Sequence, residues 1–332
     1  MSSNLTAAHP TIPQFHPVFH AYPIYHSPAH SLLTPLSDHH LAVLAPVIAY
    51  WVTSGIFHIL DSSNWAWLDG YRIHDSAEVA SRNRASRLAV LLAVLLQQLI
   101  QTVLGLLWVS EVPEHTDHAT AMRSIAHYLV SSFGLFDEAA PQLAYLLYWW
   151  LIPAAQMFFA MCVKSCSFSL AADFIYLFIF EIRVVLDTWQ YFLHRAMHLN
   201  RFLFKHLHSV HHRLYVPYAY GALYNHPLEG VLLDSLGALL SESFAQLSVR
   251  QAMLFFILST CKTVDDHCGY RLPFDPLQMV SGNTADYHDI HHQTIGIKSN
   301  FSQPWFIHWD AILGTRLTRK DIEERRAKFK AS

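Results

Sequence analysis

Charged residues are scarce in this chain. Only 14% of its 332 residues are Asp, Glu, Lys or Arg, and 52% are hydrophobic, whereas a typical soluble domain carries about 25% charged residues. The 22 basic and 25 acidic residues nearly balance, so the chain lacks the basic stripe that binds a phosphate backbone. The composition therefore indicates a membrane protein and argues against nucleic acid as a partner.

Cysteine motifs and secretory signals are also lacking. The chain contains four cysteines, Cys162, Cys166, Cys261 and Cys268. They form no CxxC pair, and three of them lie in or beside apolar segments. This pattern predicts buried free thiols in a reducing compartment rather than a disulfide framework. Residues 1–40 are rich in Pro and His and do not have the basic start and short apolar core of a signal peptide, so we predict a flexible tail there.

Three segments contain no charged residue over the roughly twenty positions that a bilayer core requires, and we predict a transmembrane helix for each. They are Leu41–Leu60, Leu88–Val109 and Pro141–Val163. Three more segments are apolar but carry ionisable residues, namely 168–192, 228–247 and 247–264. Because a charge at bilayer depth is costly, we expect these to face protein, water or a site, or only to dip into the membrane.

Histidine, in contrast, is abundant, with 24 copies, and eight of them are grouped in three boxes. HRAMH spans 194–198, HSVHH spans 208–212 and HDIHH spans 288–292. Residues four apart lie on one face of a helix, so each box can direct two imidazoles at one metal ion. Two further histidines flank the apolar segments between the last two boxes. The predicted metal ligands are His194, His198, His208, His211, His212, His226, His267, His288, His291 and His292.

The order of the segments predicts that these boxes meet. Each apolar hairpin returns the chain to the side that it left, so all three boxes emerge on one membrane face. Ten imidazoles suit two metal ions with about five ligands each, and they leave positions for oxygen. The chain has no HExxH motif of a zinc protease, and a structural zinc site needs only four ligands. So many imidazoles beside carboxylates favour a non-haem di-iron site.

The positive-inside rule only partly assigns the membrane face. The box-bearing segments and the C-terminal tail are basic, which favours the cytosol, but the loop 61–87 is basic as well. Simple alternation of spans cannot place both regions in the cytosol, so we expect a re-entrant or interfacial segment, or a loop that breaks the rule. The predicted fold is an all-α integral membrane protein with about four to six transmembrane or re-entrant helices and a cytosolic, His-rich di-metal helical cap.

Carboxylates and aromatic residues surround the boxes. Ligating imidazoles usually donate their second N–H to a carboxylate or a carbonyl oxygen, and the carboxylates in position to do so are Asp187, Glu229, Asp265, Asp266, Asp286 and Asp289. The aromatic candidates for lining a substrate slot are Trp189, Tyr218 and Tyr224.

The boxes resemble those of the fatty acid hydroxylase and sterol desaturase superfamily of membrane di-iron enzymes, over about residues 170–316. Four longer runs resemble the sphinganine C-4 hydroxylases of fungi and plants. They are DTWQYFLHRAMH (187–198), HSVHHRLYVPYAYGALYNHPLEG (208–230), TVDDHCGYRLPFDPLQ (263–278) and NTADYHDIHHQTIGIKSNFSQPWFIHWDAILGT (283–315).

This resemblance implies an enzyme of the endoplasmic reticulum membrane whose active site faces the cytosol. It would hydroxylate C-4 of sphinganine or dihydroceramide with two iron ions and O2, taking electrons from NAD(P)H through a reductase and cytochrome b5. The chain has no HPGG-type haem-binding module, so the donor is expected to be a separate protein. Lys328 and Lys330 resemble a di-lysine retrieval signal.

The resemblance also implies an organisation into a tail (1–40), N-terminal membrane helices (41–140), a catalytic domain (141–316) and a basic tail (317–332). Two other functions remain open. A sterol desaturase or methyl oxidase would share the metal site, although the runs beside the boxes argue against it. A His-rich metal transporter would carry its ligands within spanning helices, whereas most of these histidines lie beside the apolar segments.

Overall fold

A computed structural model describes residues 16–29, 31–63, 65–108, 117–161 and 186–331. The described part is helical and contains no β-strand. The helices are α1 (Asp38–Ser62), α2 (Ala66–Asp69), α3 (Ser76–Arg82), α4 (Arg87–Trp108), α5 (His118–Phe133), α6 (Ala140–Met161), α7 (Leu186–Leu199), α8 (Arg201–Leu203), α9 (Pro227–Gly230), α10 (Leu236–Ala245), α11 (Val249–Asp266), α12 (Pro276–Val280), α13 (Ala285–His292), α14 (His308–Ile312) and α15 (Arg319–Ala331). Short 3-10 turns cover Pro17–His20, His211–Arg213 and Ala219–Gly221, and π-helical turns cover Leu147–Leu151, Phe204–His208 and Val231–Ser235.

The three charge-free segments form the helices α1, α4 and α6. These helices have 25, 22 and 22 residues and are long and apolar enough to cross a membrane. No more than 22% of the most apolar stretch of each is buried inside the protein, so their outward faces suit a hydrocarbon environment. The prediction of three apolar helices at these positions is confirmed.

The segments that carry ionisable residues behave differently. Residues 168–185 of the first lie outside the described residues, and its remainder begins α7. The second is divided among α9, a π-helical turn and α10, and the third is α11, which begins with a capping box of Ser248 and Gln251. Lys262 of α11 is fully buried and forms an ion pair with Asp266. This lysine therefore faces protein, as the cost of burying a charge predicts.

Helix α11 packs along α1 in a parallel direction. Near their first residues Arg250 forms an ion pair with Asp38 at 2.7 Å, and at the opposite end the Tyr270 hydroxyl donates to Asp61 at 2.7 Å. His267 follows the last residue of α11 directly. The packing of α11 on α1 thus fixes the position of one predicted ligand relative to the membrane helices.

The basic loop between α1 and α4 folds onto the box-bearing segments. The Ile73 amide donates to the Gly269 carbonyl at 2.9 Å, and the Arg84 amide donates to the Arg213 carbonyl at 2.8 Å. His74 of the same loop contacts Asp289 of α13 at 2.8 Å. The two basic regions that simple alternation of spans could not reconcile therefore lie at the same end of the molecule.

Candidate metal centre

The first and third boxes are α-helical, whereas the second is not. His194 and His198 lie on α7, one turn apart. His208 closes a π-helical turn, and a 3-10 turn begins at His211, so the second box is not a regular α-helix. The third box lies on α13, where the Thr284 side chain caps the first turn by accepting from the Tyr287 amide at 3.2 Å. Irregular turns of this kind often occur at functional sites.

Nine of the ten predicted ligands assemble into two clusters, in each of which one ligand atom per residue lies within 4.8 Å of all the others. The five-histidine cluster contains His194, His198, His208, His212 and His291. The four-histidine cluster contains His211, His267, His288 and His292. The structure thus brings together boxes that are nearly a hundred residues apart in the chain.

The second and third boxes are each divided between the clusters. His208 and His212 enter the five-histidine cluster, whereas His211 enters the other. Neighbouring residues on a helix differ by about 100° in direction, while residues four apart differ by only about 40°. The two outer histidines of a box therefore face one centre, and the third histidine faces its neighbour. This alternation holds the two clusters side by side.

In both clusters the Nε2 atoms point inward. The Nε2 atoms of His194 and His208 are 3.0 Å apart, and those of His211 and His267 are 3.5 Å apart. The Nδ1 atoms of most of these rings bind carbonyl oxygens outside the cluster instead. Their partners are Phe301 for His194 (2.8 Å), Tyr224 for His211 (3.3 Å), Thr263 for His267 (2.8 Å), Ser299 for His291 (2.7 Å) and Leu214 for His292 (2.7 Å).

This tautomer pattern suits bound cations. A carbonyl oxygen only accepts a hydrogen bond, so the Nδ1 atom facing it carries the proton and Nε2 of a neutral ring presents a lone pair. The facing Nε2 atoms of His211 and His267 both belong to such rings, so they cannot hydrogen-bond each other. Nε2 of His291 likewise has no partner and is buried. Convergent lone pairs without donors are the arrangement that a metal ion satisfies.

The protein environment keeps these rings neutral. Burial lowers the pKa of His194 and of His267 to about 4. Burial followed by the neighbouring imidazoles lowers the pKa of the other seven rings as well. Neutral imidazole is the form that ligates a metal, so both clusters are ready to bind cations at neutral pH.

Comparison with known proteins assigns this centre to a family. The family model described as fatty acid hydroxylase matches residues 179–315, which include both clusters. The chain is 44% identical to the sphingolipid C4-hydroxylase SUR2 of Saccharomyces cerevisiae, over 91% of this chain and 78% of that protein. The chain belongs to the fatty acid hydroxylase family.

Other relatives extend the comparison. Sphinganine C4-monooxygenase 2 of Arabidopsis thaliana is 42% identical over 85% of this chain and 89% of its own length. The very-long-chain aldehyde decarbonylase GL1-9 of Oryza sativa is 36% identical over 89% of this chain and 95% of its own length. No solved structure matches the chain. The protein is therefore an oxidoreductase of this family, and the family and the histidine clusters together are consistent with a metal-dependent oxygenase.

Of the six predicted carboxylates, Glu229 is the one that contacts a histidine ring of the clusters. Oε1 of Glu229 lies 2.5 Å from Nδ1 of His208 in a fully buried contact. Burial, with a smaller effect of Asp234, raises the pKa of Glu229 to about 8. A positive charge in the adjacent cluster would favour its carboxylate form, which in turn fixes the His208 tautomer.

The other five predicted carboxylates bind elsewhere. Asp187 accepts from the Trp305 and Phe306 amides at 3.2 and 2.7 Å. Asp265 accepts from Gln278 at 3.1 Å, and Asp266 binds Lys262 and Asn283. Asp286 pairs with Arg271 and Arg319, and Asp289 pairs with His74 and Arg319. These carboxylates anchor the loops and helices around the centre and contact none of the clustered rings.

His226 is the predicted ligand that the structure does not bring into either cluster. It precedes α9, and its Nδ1 accepts from the Leu228 amide at 3.2 Å as a helix N-cap. The sequence placed it beside the box because it flanks an apolar segment, but its ring is committed to the local backbone. Its role in this structure is to begin the helix that carries Glu229.

We expect the His226→Ala variant to retain its metal and most of its activity. The loss of an N-cap costs about 0.5–2 kcal/mol of stability, so the variant should unfold at a slightly lower temperature. Metal content per chain, measured by mass spectrometry of the purified protein, tests this expectation. Loss of metal at unchanged folding would place His226 in the centre instead.

The loop 299–301, which the histidine spacing does not indicate, holds two rings of the five-histidine cluster in place. Ser299 and Phe301 supply the carbonyls that bind His291 and His194. Between them Asn300 adopts a left-handed conformation, with a φ of 56°, and its side chain donates to the Tyr287 and Leu317 carbonyls at 2.9 Å. Asn tolerates this conformation better than most residues, so an Asn near the last box is the one signal that the sequence offers.

The carboxylate of Asp310 holds the same loop in place through hydrogen bonds. It is fully buried. One carboxylate oxygen accepts from the Phe301 amide at 3.0 Å and the Thr315 hydroxyl at 2.6 Å. The other oxygen accepts from the Ser302 amide at 2.8 Å and the Tyr287 hydroxyl at 3.0 Å. Asp310 therefore links the carbonyl-bearing loop to α13, although it touches no histidine of the clusters.

The three aromatic residues predicted to line a substrate slot have different surroundings. Trp189 donates to the Leu232 carbonyl at 2.8 Å and is part of the helix packing. Tyr224 is buried and uses its carbonyl to hold His211. Tyr218 is also buried, and its ring lines a polar pocket beside the centre.

Proposed function

We propose that this protein adds a hydroxyl group at C-4 of a sphingoid long-chain base, free or within dihydroceramide, and forms phytosphingosine-type products. The observation that carries the proposal is the 44% identity to a sphingolipid C4-hydroxylase over 91% of this chain. That span includes both histidine clusters and the membrane helices beside them. The identity therefore extends beyond the metal site to the parts that would select the substrate.

We propose that the two clusters hold two iron ions, one in the five-histidine cluster and one in the four-histidine cluster. Iron bound there would supply the activation of O2 that an unactivated C–H bond requires. An all-imidazole set also suits zinc, copper and nickel, and the family resemblance favours iron. Electrons from NAD(P)H would arrive through cytochrome b5 and its reductase as separate proteins.

The chain's own residues position the reactants. The C-4 methylene has no acidic proton and no leaving group, so acid–base catalysis cannot select it, and its placement decides where the reaction occurs. The carbonyls of Leu214 and Tyr224 orient His292 and His211, while Glu229 orients His208. The rings are buried, which excludes bulk water from the centre.

We propose that the protein resides in the endoplasmic reticulum membrane with this centre facing the cytosol. The basic loop 65–86 and the basic box-bearing segments lie at one end of the molecule, and basic residues favour the cytosolic face. We also propose that the chain is organised as a tail (1–40), N-terminal membrane helices (41–140), a catalytic domain (141–316) and a basic tail (317–332).

The experiment is product analysis with microsomes from a host that lacks its own C-4 hydroxylase. Sphinganine, dihydroceramide, a 4-methylsterol and a long-chain aldehyde are supplied separately with NADH and air. We expect a 4-hydroxylated base from sphinganine or dihydroceramide and no conversion of the other two. Turnover of the sterol or the aldehyde alone would replace this proposal with a methyl oxidase or a decarbonylase.

A further inference from the structure

Two neighbouring cavities lie between the membrane helices and the metal-bearing segments. The apolar groove has a volume of about 340 Å³ and lies between α1 and α4. It is lined by Trp51, Gly55, His58, Leu88, Leu91 and Tyr220, among others. The polar pocket has a volume of about 80 Å³ and is lined by residues that include Asp61, Arg72, Tyr218, Cys268 and Gly269. Cavities of about 300–1,000 Å³ are typical of small-ligand sites.

Arg87 joins the two cavities, because its side chain lines both. Its guanidinium lies 5.7 Å from the centre of the Tyr218 ring. Tyr218 and Tyr220 in turn pack against each other with ring centres 4.6 Å apart. The two cavities therefore adjoin each other at Arg87, with Tyr218 on the side of the polar pocket and Tyr220 on the side of the groove.

The segment 214–224 connects these cavities to the metal centre. Its first residue, Leu214, holds His292, and its last residue, Tyr224, holds His211. Tyr218 and Tyr220 lie midway between those contacts. On the opposite wall Cys268 and Gly269 directly follow His267. Both walls of the polar pocket are thus continuous with residues of the four-histidine cluster.

The polar pocket offers groups that suit an amino-diol. Oδ1 of Asp61 already accepts from Arg72 at 2.8 Å and from the Tyr270 hydroxyl at 2.7 Å, and the second carboxylate oxygen can accept from an ammonium, amide or hydroxyl group. The Tyr218 hydroxyl is buried in the pocket wall, where the Tyr220 side chain is its hydrogen-bonding neighbour. A polar ligand in the pocket would offer this hydroxyl a further partner.

We propose that the apolar groove binds the alkyl chain of a long-chain amino-diol that enters from the bilayer, with its polar head in the pocket at Asp61, Arg87 and Tyr218. This inference rests on the proposed function for the identity of its ligand. The carbon next to the amino-diol is then held at Tyr218 and Tyr220, between groove and pocket, against the segment whose ends hold His292 and His211. The membrane helices therefore take part in substrate selection as well as anchoring.

Gly55 provides a direct test of the groove. An added Cβ at Gly55 meets no heavy atom within 4 Å, so a larger side chain there starts in open space beside the groove. Gly inside a helix is also less favourable than Phe, so Gly55→Phe should not impair folding. Ile56 is the next residue of α1 and is 53% exposed, which makes Ile56→Phe a matched control on the lipid-facing side.

The experiment compares the full-length protein and both variants in microsomes by two readouts. The first is the KM for sphinganine of normal chain length. The second is crosslinking to a sphinganine that carries a diazirine in its chain, mapped by peptide mass spectrometry. We expect crosslinks on 51–58 and 88–91 that excess sphinganine suppresses. Gly55→Phe should lose them and raise KM about ten-fold, as displacement of about two buried methylene groups predicts, whereas Ile56→Phe should match the wild type.

The two readouts separate the two proposals. Equal KM values and equal crosslinking in Gly55→Phe and Ile56→Phe would overturn the groove inference, as would crosslinks that sphinganine does not suppress, since bulk lipid would then fill the groove. If the wild type forms no hydroxylated base but still shows crosslinks that sphinganine suppresses, the proposed function fails and the groove stands as a binding site for a long-chain amino-diol.

Discussion

Replacing His211 with alanine is expected to abolish product formation and to remove the metal of the four-histidine cluster. Only three imidazoles would remain there, whereas the five-histidine cluster keeps its full set. Loss of an outer partner of a ligand already costs 10–100-fold in metal affinity or activity, so we expect loss of the ligand itself to lower activity by more than about 100-fold. Metal content should fall from two ions to one per chain.

The adjacent residue supplies a matched comparison. His212 is the next residue in the chain but belongs to the five-histidine cluster, so His212→Ala leaves four imidazoles in that cluster. We expect this variant to hold two metals when purified gently and to lose one at a chelator concentration that the wild type resists. Equal metal loss from both variants, at equal thermal stability, would contradict the assignment of these neighbours to different clusters.

The assignment of His211 and His212 to different clusters also shows which parts of the site are predictable from the sequence. Helical spacing predicts that two histidines of a box face one centre with the third beside them, and the absence of charge predicts α1, α4 and α6. In the third box, which is a regular α-helix, this geometry places His288 and His292 in one cluster and His291 in the other. The π-helical and 3-10 turns of the second box, at 204–213, are not encoded by composition or periodicity.

The outer partners of the rings were harder to predict for a different reason. The sequence offered six carboxylates, but five of the nine rings bind backbone carbonyls. Every residue has a carbonyl, so no residue type identifies the one that will be used. Glu229 was proposed from its position three residues after His226, but the ring that it contacts is His208. His226 lies outside both clusters, because nearness to an apolar segment does not reveal that its ring caps a helix.

The contact between the basic loop and the boxes depends on long-range packing. Asn83 exchanges two hydrogen bonds with the backbone of Val216, at 2.9 and 2.8 Å, and His74 reaches Asp289 across more than two hundred residues. Counting positive charges assigns a face to each loop separately, so it cannot detect that two loops pack together. The groove and the polar pocket arise from this packing, so counting charges in each loop does not reveal them.

Asp310→Ala is expected to weaken metal binding in the five-histidine cluster more than in the four-histidine cluster. The substitution leaves two buried amides and two hydroxyls without their acceptor, and a buried donor without a partner costs about 1–3 kcal/mol. The loop would shift, and with it the carbonyls of Ser299 and Phe301 that orient His291 and His194. The four-histidine cluster takes its carbonyls from other segments, so it should be spared.

Graded chelation followed by metal analysis tests this selectivity, since one ion should leave Asp310→Ala at roughly 10–100-fold lower chelator concentration than the other. Asp286→Ala is the control, because Asp286 lies on the box-bearing α13 but pairs with Arg271 and Arg319 nearer the surface, where an ion pair contributes up to about 1 kcal/mol. Asp310→Asn, which keeps the shape but one acceptor oxygen, should fall between alanine and the wild type. If Asp310→Ala instead loses both metals at the same chelator concentration and unfolds at a lower temperature, Asp310 stabilises the whole domain and does not orient one cluster.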